Sequence, residues 1–507
     1  VCGRAGESVV VDPATPNRHT HTHTHTHSDT YIYTYIPCVD MEVDETATPR
    51  FKTFTEEVQN VLAQFDRVRE WADLSRCLQR LQKSFVKFED FSTIPEKVTV
   101  SKRLAQCLNP ALPGGVHMKV LELYALILMR LEPATLAIDL PLYSVGLLPY
   151  FARASVQIRP QVLCVLREHV VDKLGSQLKG ALSGFVMSLV PGMEEPGTET
   201  FDKVRDFLDY MEERTDTPSF LHAIFEGILL CPQYRMGSFN YLNDRLYRDG
   251  SKGVKDFMIS RSGVFVKALA ASIRDDVMLV QRGALDFVCA MVPLNSEDFS
   301  VHHKQLLIDA AIPALVSREI PVMRRFFSWL YGGGEFDQTY FETHAKHLLI
   351  HGLQSLLLEG AQESLALRHK ESASQSVSPG STPISPRASS SKPDPHMAAF
   401  RICSNIIKRQ ELVDTDIARR LLIPALRSLR LAENATPDIF ERLFELWPQA
   451  VVWEGVEELL LSCTSLQQPG VEPFHMLLDT IETLPRTDEL TWNHFPRMLL
   501  IVFHFCE

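Results

Sequence analysis

Residues 104–124 contain the end of one helix, a rigid connector and the start of the next helix, and they constrain the fold more than any other stretch. Proline lacks an amide donor and pushes the residue before it out of helical geometry, so residues 109–113 end the first helix. Gly114 and Gly115 then predict a turn. Apolar residues recur at steps of three and four over residues 116–131, which indicates one helix face packed against a neighbour.

The same periodicity continues along the chain from residue 54 onward. We expect the apolar residues of segment 58–85 to pack a first pair of helices together, with Trp71 covering its flank, and Thr217 and Pro218 to be the cap and first residue of a later helix. No alternating strand pattern is followed by a hairpin signal. The sequence therefore predicts an all-α fold, an irregular α-solenoid of antiparallel helix pairs of the HEAT or armadillo kind.

Composition narrows the classes of function. The 507 residues carry a formal net charge of -12, which argues against a protein that neutralises nucleic-acid phosphates over a broad face. The 10 cysteines are scattered without a C-x-x-C pair, so we expect reduced thiols and no disulfides. We find no run of the ~18 apolar residues that a transmembrane helix needs. The chain is therefore predicted to bind no nucleic acid and to have no transmembrane span.

Changes in composition divide the chain into four parts. Residues 1–50 contain alternating His-Thr and Tyr-Ile/Thr repeats, which predict a disordered leader; we hypothesise that it is translated upstream sequence and that Met41 is the true start. Residues 51–370 form the main helical domain. Residues 371–396 are rich in Ser and Pro and predict a disordered loop. Residues 397–507 are expected to continue the helical array, truncated at the C-terminus.

The Ser/Pro-rich loop offers three acceptors for a proline-directed kinase. Ser378, Thr382 and Ser385 each precede a proline. Phosphorylation would add nearly two negative charges at each site. An inert linker explains the same composition, and both interpretations stay open.

Five collinear segments are similar to one known family. They are residues 104–124, DLPLYSVGLLP at 139–149, LVPGMEE at 189–195, the Gln-Arg pair in 280–286 and REIPVMRRFFSWL at 318–330. Together they resemble the N-terminal domain of the Dopey family, large cytosolic, membrane-associated proteins of endosome and Golgi traffic. The resemblance covers the chain from about residue 54 to its end, most weakly after residue 372.

The resemblance implies a binding function. It implies a non-enzymatic scaffold for vesicle-mediated protein transport, in the cytosol and peripherally on Golgi and endosome membranes. It also implies an Arf-exchange-factor-like scaffold partner and a P-type ATPase lipid flippase, and it links some members to kinesin and phosphoinositide. No catalytic residue and no cofactor are expected.

Two rival functions stay open. His344, His347 and His351 lie at steps of three and four, which places them on one helix face and could seat zinc in a metal-dependent enzyme. However, no H-E-x-x-H arrangement is present, and a half-buried histidine row is the commoner outcome. The second rival is a cargo adaptor of the nuclear-import kind, which shares the helical-array architecture.

Two basic pairs are candidates for contact with an acidic partner or an anionic lipid headgroup. They are Lys102 with Arg103 and Arg324 with Arg325. Such pairs also form the solvated edge of a helix or salt bridges to a neighbouring repeat.

Three further features are predicted to have structural roles. Tyr143 and Trp329 are expected to anchor the core, each with its polar tip in one hydrogen bond. The glycines at 332–334 lack the lysine and hydroxyl residue of a nucleotide loop, so they predict a connector.

Overall fold

The protein is described by a computed structural model covering residues 45–250 except 66 and 69, then 252–375, 395–407, 415–431, 449–464 and 490–506. Within these ranges, the regular elements are helices and none is a strand. The predicted all-α fold is confirmed.

The main helices follow one another along the chain, with short 3-10 and π-helical turns between or within them. They are α1 (Pro49–Phe65), α2 (Trp71–Lys87), α3 (Lys97–Cys107), α4 (Gly114–Arg130), α5 (Pro133–Arg153), α6 (Arg159–Leu166), α7 (Leu182–Leu189), α8 (Glu199–Arg214), α9 (Thr217–Leu230), α10 (Arg235–Asp249), α11 (Lys252–Ser260), α12 (Ser262–Ile273), α13 (Met278–Met291), α14 (Val301–Ala314), α15 (Ile320–Leu330), α16 (Lys346–Gln375), α17 (Pro395–Ile407), α18 (Thr415–Leu431), α19 (Gln449–Thr464) and α20 (Phe495–Cys506).

The helices stack in two layers. The first layer runs through α1, α3, α5, α7, α9, α12, α14, α16, α18, α19 and α20, each in contact with the next. The second runs through α2, α4, α6, α8, α10, α13 and α15, with the turn Val190–Met193 joining α8 to α10. Each helix thus packs against its neighbours in its own layer, and pairs such as α1 with α2 and α12 with α13 pack across the two layers. This is the predicted irregular α-solenoid, in which stability is a sum of local interfaces.

The core follows the predicted apolar stripes closely. Every residue of the α4 stripe is buried, namely Val116, Val120, Leu123, Tyr124, Ile127, Leu128 and Leu131. The prediction for Trp71 is wrong, because its side chain is exposed. Trp71 is the first residue of α2, and the buried face of that helix begins further along, at Cys77.

Two helix starts differ from those expected. Gly114 and Gly115 form the first turn of α4 instead of a turn before it. Helix α9 is capped by Asp216, whose carboxylate accepts a hydrogen bond from the Ser219 amide (2.7 Å), so Thr217 is already its first residue. A carboxylate at the N-cap satisfies an amide that has no partner within the helix.

The folded region extends further toward the N-terminus than expected. A short turn at Glu45–Ala47 precedes α1. The Glu45 carboxylate accepts hydrogen bonds from the Ser92 hydroxyl (3.2 Å) and the Thr93 amide (3.3 Å) beyond α2. Residues 45–50, placed in the leader from the sequence, therefore pack on the first repeat. The repeats and Met41 lie outside the described residues.

The boundaries of the predicted Ser/Pro-rich loop also differ. Helix α16 continues to Gln375, and α17 begins at Pro395. Ser378, Thr382 and Ser385 lie outside the described residues, and their phosphorylation stays a prediction.

Helix α5 is the one described helix that is long and apolar enough to cross a membrane, with a mean hydropathy of 1.3. From the sequence, no membrane-spanning run was expected; in α5, Asp139, Pro141 and Pro149 interrupt the apolar residues. Half of its apolar window is buried inside the fold, and α5 packs between α3 and α7 in the first layer. A core helix of a helical stack passes the same test of length and composition.

Candidate functional site

An open groove lies between α3 and α5 in the first layer. The two helices approach closely where Gly146 of α5 meets Ala105 of α3, because a glycine leaves room for the neighbouring backbone. Around this contact they leave a groove of about 840 Å³. Its lining is Lys97, Val98, Ser101, Lys102, Ala105, Gln106, Ile138, Asp139, Pro141, Leu142 and Val145. We call it the α3–α5 groove.

The α3–α5 groove exposes large apolar side chains. Val98 is 64% exposed, Ile138 77% and Val145 73%. Leu142 lies between them, half-buried. Single exposed apolar residues are ordinary, but several that share one concave surface are typical of an interaction site. The groove can therefore receive an apolar surface.

The charged side chains that line the groove are not all paired. Lys97 donates to both carboxylate oxygens of Asp139, at 2.8 and 2.9 Å, and Asp139 is itself buried. This ion pair neutralises the acidic residue of the lining. Lys102 has no ion-pair partner among the residues that the structure describes, and it is exposed. The groove thus carries one uncompensated positive charge beside exposed apolar side chains.

A second, smaller cavity of about 400 Å³ adjoins the groove. It shares Lys97, Val98 and Asp139 with the groove, and its other lining residues include Ser92 and Thr93. The Lys97–Asp139 ion pair therefore separates an apolar cavity from a more polar one. Together they form a recess along one side of α3.

The first predicted basic pair splits between two environments. Lys102 lies in the α3–α5 groove. Arg103 is half-buried, and its Nη1 donates to the side-chain oxygen of Gln106 at 3.1 Å. The two side chains therefore do not form one basic patch, because adjacent residues on a helix point about 100° apart.

The two residues of the second basic pair, on α15 in the other layer, also lie in different environments. Arg324 is exposed. Arg325 is 22% exposed and donates through Nε to Asp286 of α13 at 2.5 Å and through Nη1 to the Pro321 carbonyl at 3.0 Å. Arg325 thus ties two neighbouring helices together, which was the structural alternative. The structure does not bring the two basic pairs together.

The histidine row begins in a π-helical turn that runs directly into α16. His344 lies in the turn Phe341–Ala345, whereas His347 and His351 lie in α16. Burial, with smaller contributions from His344 and Lys304, lowers the pKa of His347. Among the described residues, no group of three or more His, Cys, Asp or Glu side chains is placed to hold a metal ion.

The predicted core anchors are buried. Trp329 donates its indole N–H to the Val292 carbonyl at 2.7 Å. The Tyr143 hydroxyl has no hydrogen-bond partner in the described part of the chain, so the expected bond is found for the tryptophan alone. Burial raises the pKa of Tyr143, and the charge of Asp139 adds to the effect. The glycine connector is confirmed, with positive φ angles of 83° at Gly332 and 96° at Gly333.

Sequence reasoning missed the α3–α5 groove. The sequence did contain one indication of it. Helix α5 is apolar on almost all sides, as shown by Ala137, Ile138, Leu140, Leu142 and Val145. Such a helix is expected to be covered all round. In this fold its outward face is left open.

Comparison with known proteins identifies the family. A model of the family described as "Dopey, N-terminal" matches residues 48–335. "Protein DOP1 homolog" of Drosophila melanogaster is 28% identical over 333 residues, covering 61% of this chain and 13% of that protein. "Protein dop1" of Emericella nidulans is 28% identical over 513 residues, covering 89% of this chain and 27% of that protein.

The chain therefore spans less than a third of the length of each of these two relatives. The solved structure titled "Structure of the TSC2 N-terminus" aligns with 83% of this chain and 99% of its own, at a TM-score of 0.30 and 12% identity. The family match covers more than half of the chain and includes both helices of the α3–α5 groove. The chain belongs to the Dopey family.

Proposed function

We propose that this chain is a scaffold region of a Dopey-like protein in vesicle-mediated protein transport between endosomes and the Golgi. It acts by binding partners, in the cytosol and peripherally on Golgi and endosome membranes. Family membership over residues 48–335 is the observation that carries the proposal. The family's role in endosome and Golgi traffic supplies the process.

The architecture supports a binding role. A two-layer stack presents a long surface, and each repeat contributes a small part of it. In the α3–α5 groove, that surface leaves Ile138 and Val145 exposed beside Lys102. A concave apolar recess with a charged residue at its side fits recognition of another molecule.

The proposal extends to partners. We include an Arf-exchange-factor-like scaffold, a P-type ATPase flippase, kinesin and a phosphoinositide-bearing membrane. These rest on the family, because helical arrays serve many unrelated functions. In relatives several times longer than this chain, some of these contacts would fall on other regions.

The experiment is proximity labelling in the native cell, with the labelling enzyme fused to the full-length protein. Enrichment of Golgi and endosome proteins is the expected result. Enrichment of nuclear-pore proteins in their place would favour the nuclear-import adaptor and overturn the proposal. Labelling by the same enzyme expressed alone in the cytosol is the control.

A metal assay on the purified chain addresses the enzymatic rival. The scaffold proposal expects no stoichiometric zinc that depends on His344 and His347. Zinc that is lost from the His344→Ala and His347→Ala variants, together with loss of an activity, would favour a metal-dependent enzyme.

A further inference from the structure

We infer that the α3–α5 groove binds an amphipathic helix of a protein partner, and that an acidic residue of this helix pairs with Lys102. The inference rests on the proposed binding function and names the chemistry of one partner. It commits to a protein helix. A membrane surface and a second copy of this chain are outcomes of the test that would overturn it.

The shape of the groove favours a helix. It lies between two helices of one layer and holds about 840 Å³, enough for several side chains from a third helix. A helix presents apolar residues at steps of three and four along one stripe, which suits the exposed lining residues Val98, Ile138 and Val145.

The charges favour an acidic helix. Among the charged lining residues, Lys97 and Asp139 neutralise each other at 2.8 Å, which leaves Lys102. The lining of the groove itself is thus net positive, in a chain whose formal net charge is -12, and Glu96 lies on the side of the adjoining cavity. Charge complementarity of this kind fixes orientation and selects between partners. A glutamate or aspartate beside the apolar stripe of the partner would meet Lys102.

The test uses the purified chain and designed peptides. The first peptide is an amphipathic helix of about five turns, with leucines on one face and glutamates flanking them. The second has lysines in place of those glutamates. The third is a scrambled version of the first. Fluorescence anisotropy measures the affinity of each, and circular dichroism checks that each variant of the chain is folded.

We expect the acidic helix to bind about tenfold or more tightly than the lysine helix. The Ile138→Asp variant should lose at least tenfold in affinity for the acidic helix, because it places a negative charge among the apolar lining residues. Ile320→Asp is the matched control, since Ile320 lies on α15 and is exposed to the same degree, 78% against 77% for Ile138. It should bind like the unmodified chain.

Charge reversal at Lys102 gives the sharpest result. In the Lys102→Glu variant, the preference should reverse, so that the lysine helix binds more tightly than the acidic one. A folding defect would weaken both peptides and could not exchange their order. An unchanged preference in a folded Lys102→Glu variant would overturn the inference.

A membrane or a second copy of this chain in the groove would give different results. Vesicles of phosphatidylcholine with about 30% phosphatidylserine test a membrane. Binding to the vesicles that is lost in Ile138→Asp, without binding to the acidic helix, would assign the groove to lipid and overturn the inference. A dimer in analytical ultracentrifugation that Ile138→Asp dissociates would assign it to a second copy. If the peptides fail while proximity labelling still finds Golgi and endosome proteins, the groove inference fails and the proposed function stands.

Discussion

Gly146 of α5 faces Ala105 of α3 so closely that a Cβ at position 146 would lie 2.6 Å from the Ala105 Cβ. The same atom would lie 2.7 Å from the Tyr124 hydroxyl of α4. Gly146 therefore sets how near the two helices of the α3–α5 groove approach each other. It also explains a glycine in the middle of an apolar helix, where glycine has a low helix propensity.

We predict that Gly146→Ala destabilises the protein by about 1–3 kcal/mol, because the added methyl group overpacks the contact between α3 and α5. The measurement is the free energy of unfolding in urea. The matched control is Gly115→Ala in the first turn of α4, where a Cβ would meet nothing within 4 Å. That variant should be neutral or more stable by up to about 1 kcal/mol. Equal losses in both variants would contradict the prediction.

A buried ion pair joins two repeats further along the stack. Arg235 of α10 donates through Nη1 to Asp275, which follows α12, at 2.7 Å, and the two side chains are 10% and 8% exposed. Arg235 also donates to the Ile228 carbonyl at 2.9 Å, and Asp275 accepts from the Val277 amide at 2.9 Å. Three segments of the stack therefore meet at this pair, namely α9, α10 and the connector between α12 and α13.

Removal of either partner should be costly. We predict that Asp275→Ala lowers the free energy of unfolding by about 3–5 kcal/mol, because it leaves a buried charge without its partner. Arg76→Ala is the control, since the pair of Arg76 and Asp73 is largely exposed and should contribute less than about 1 kcal/mol. Urea unfolding of both variants gives the comparison. A loss at Asp275 no larger than that at Arg76 would rule out the structural role.

The parts of this structure that depend on local pattern could be predicted from the sequence. The buried stripe of α4 and the glycine connector after α15 depend on residues near each other in the chain. The exact first residue of a helix was harder to predict. Asp216 and Thr217 are both favourable N-cap residues for α9, and only the backbone conformation shows that Asp216 is the N-cap.

The groove and the basic residues could not be predicted in the same way. The α3–α5 groove depends on how two helices about 40 residues apart approach each other. Arg325 differs from Arg324 because Asp286 lies beside it, and no periodicity in the sequence reports that contact. Sequence pattern gives each helix a buried face, whereas the open surface between helices follows from their packing.

The cap of α9 makes stability depend on pH. Asp216 accepts a hydrogen bond from the Lys179 ammonium and further bonds from Ser219, and these hold the pKa of the Asp216 carboxyl below its ordinary value. A lowered carboxyl pKa in the folded state stabilises the protein above the unfolded pKa, about 4. That contribution is lost as the pH falls through the folded-state pKa.

We predict that Asp216→Asn removes this pH dependence and keeps the cap, because asparagine also accepts the amide hydrogen bond. The difference in unfolding free energy from the unmodified chain should be largest near pH 7 and should shrink below about pH 4. Asp216→Ala loses the cap as well and should cost about 1 kcal/mol more. A difference that stays constant between pH 7 and pH 3 would show that the ion pair contributes nothing.

The two arginines of α15 allow a test of partner contact that is separate from folding. Arg324 is exposed, and Arg324→Glu should leave the unfolding free energy within about 0.5 kcal/mol. Arg325→Glu places a second carboxylate beside Asp286 and should destabilise the α13–α15 contact. Asp286→Arg combined with Arg325→Glu restores opposite charges and should recover part of the loss.

We predict that Arg324→Glu in the full-length protein reduces its recruitment to Golgi and endosome membranes, because it reverses a charge that an acidic partner or headgroup would contact. The measurement is the fraction of tagged protein on each organelle in live cells, with the folded Asp286→Arg/Arg325→Glu variant as a control for the structural role of Arg325. An Arg324→Glu protein that is folded and distributed like the unmodified one would remove Arg324 from the binding surface and leave the α3–α5 groove as the candidate contact.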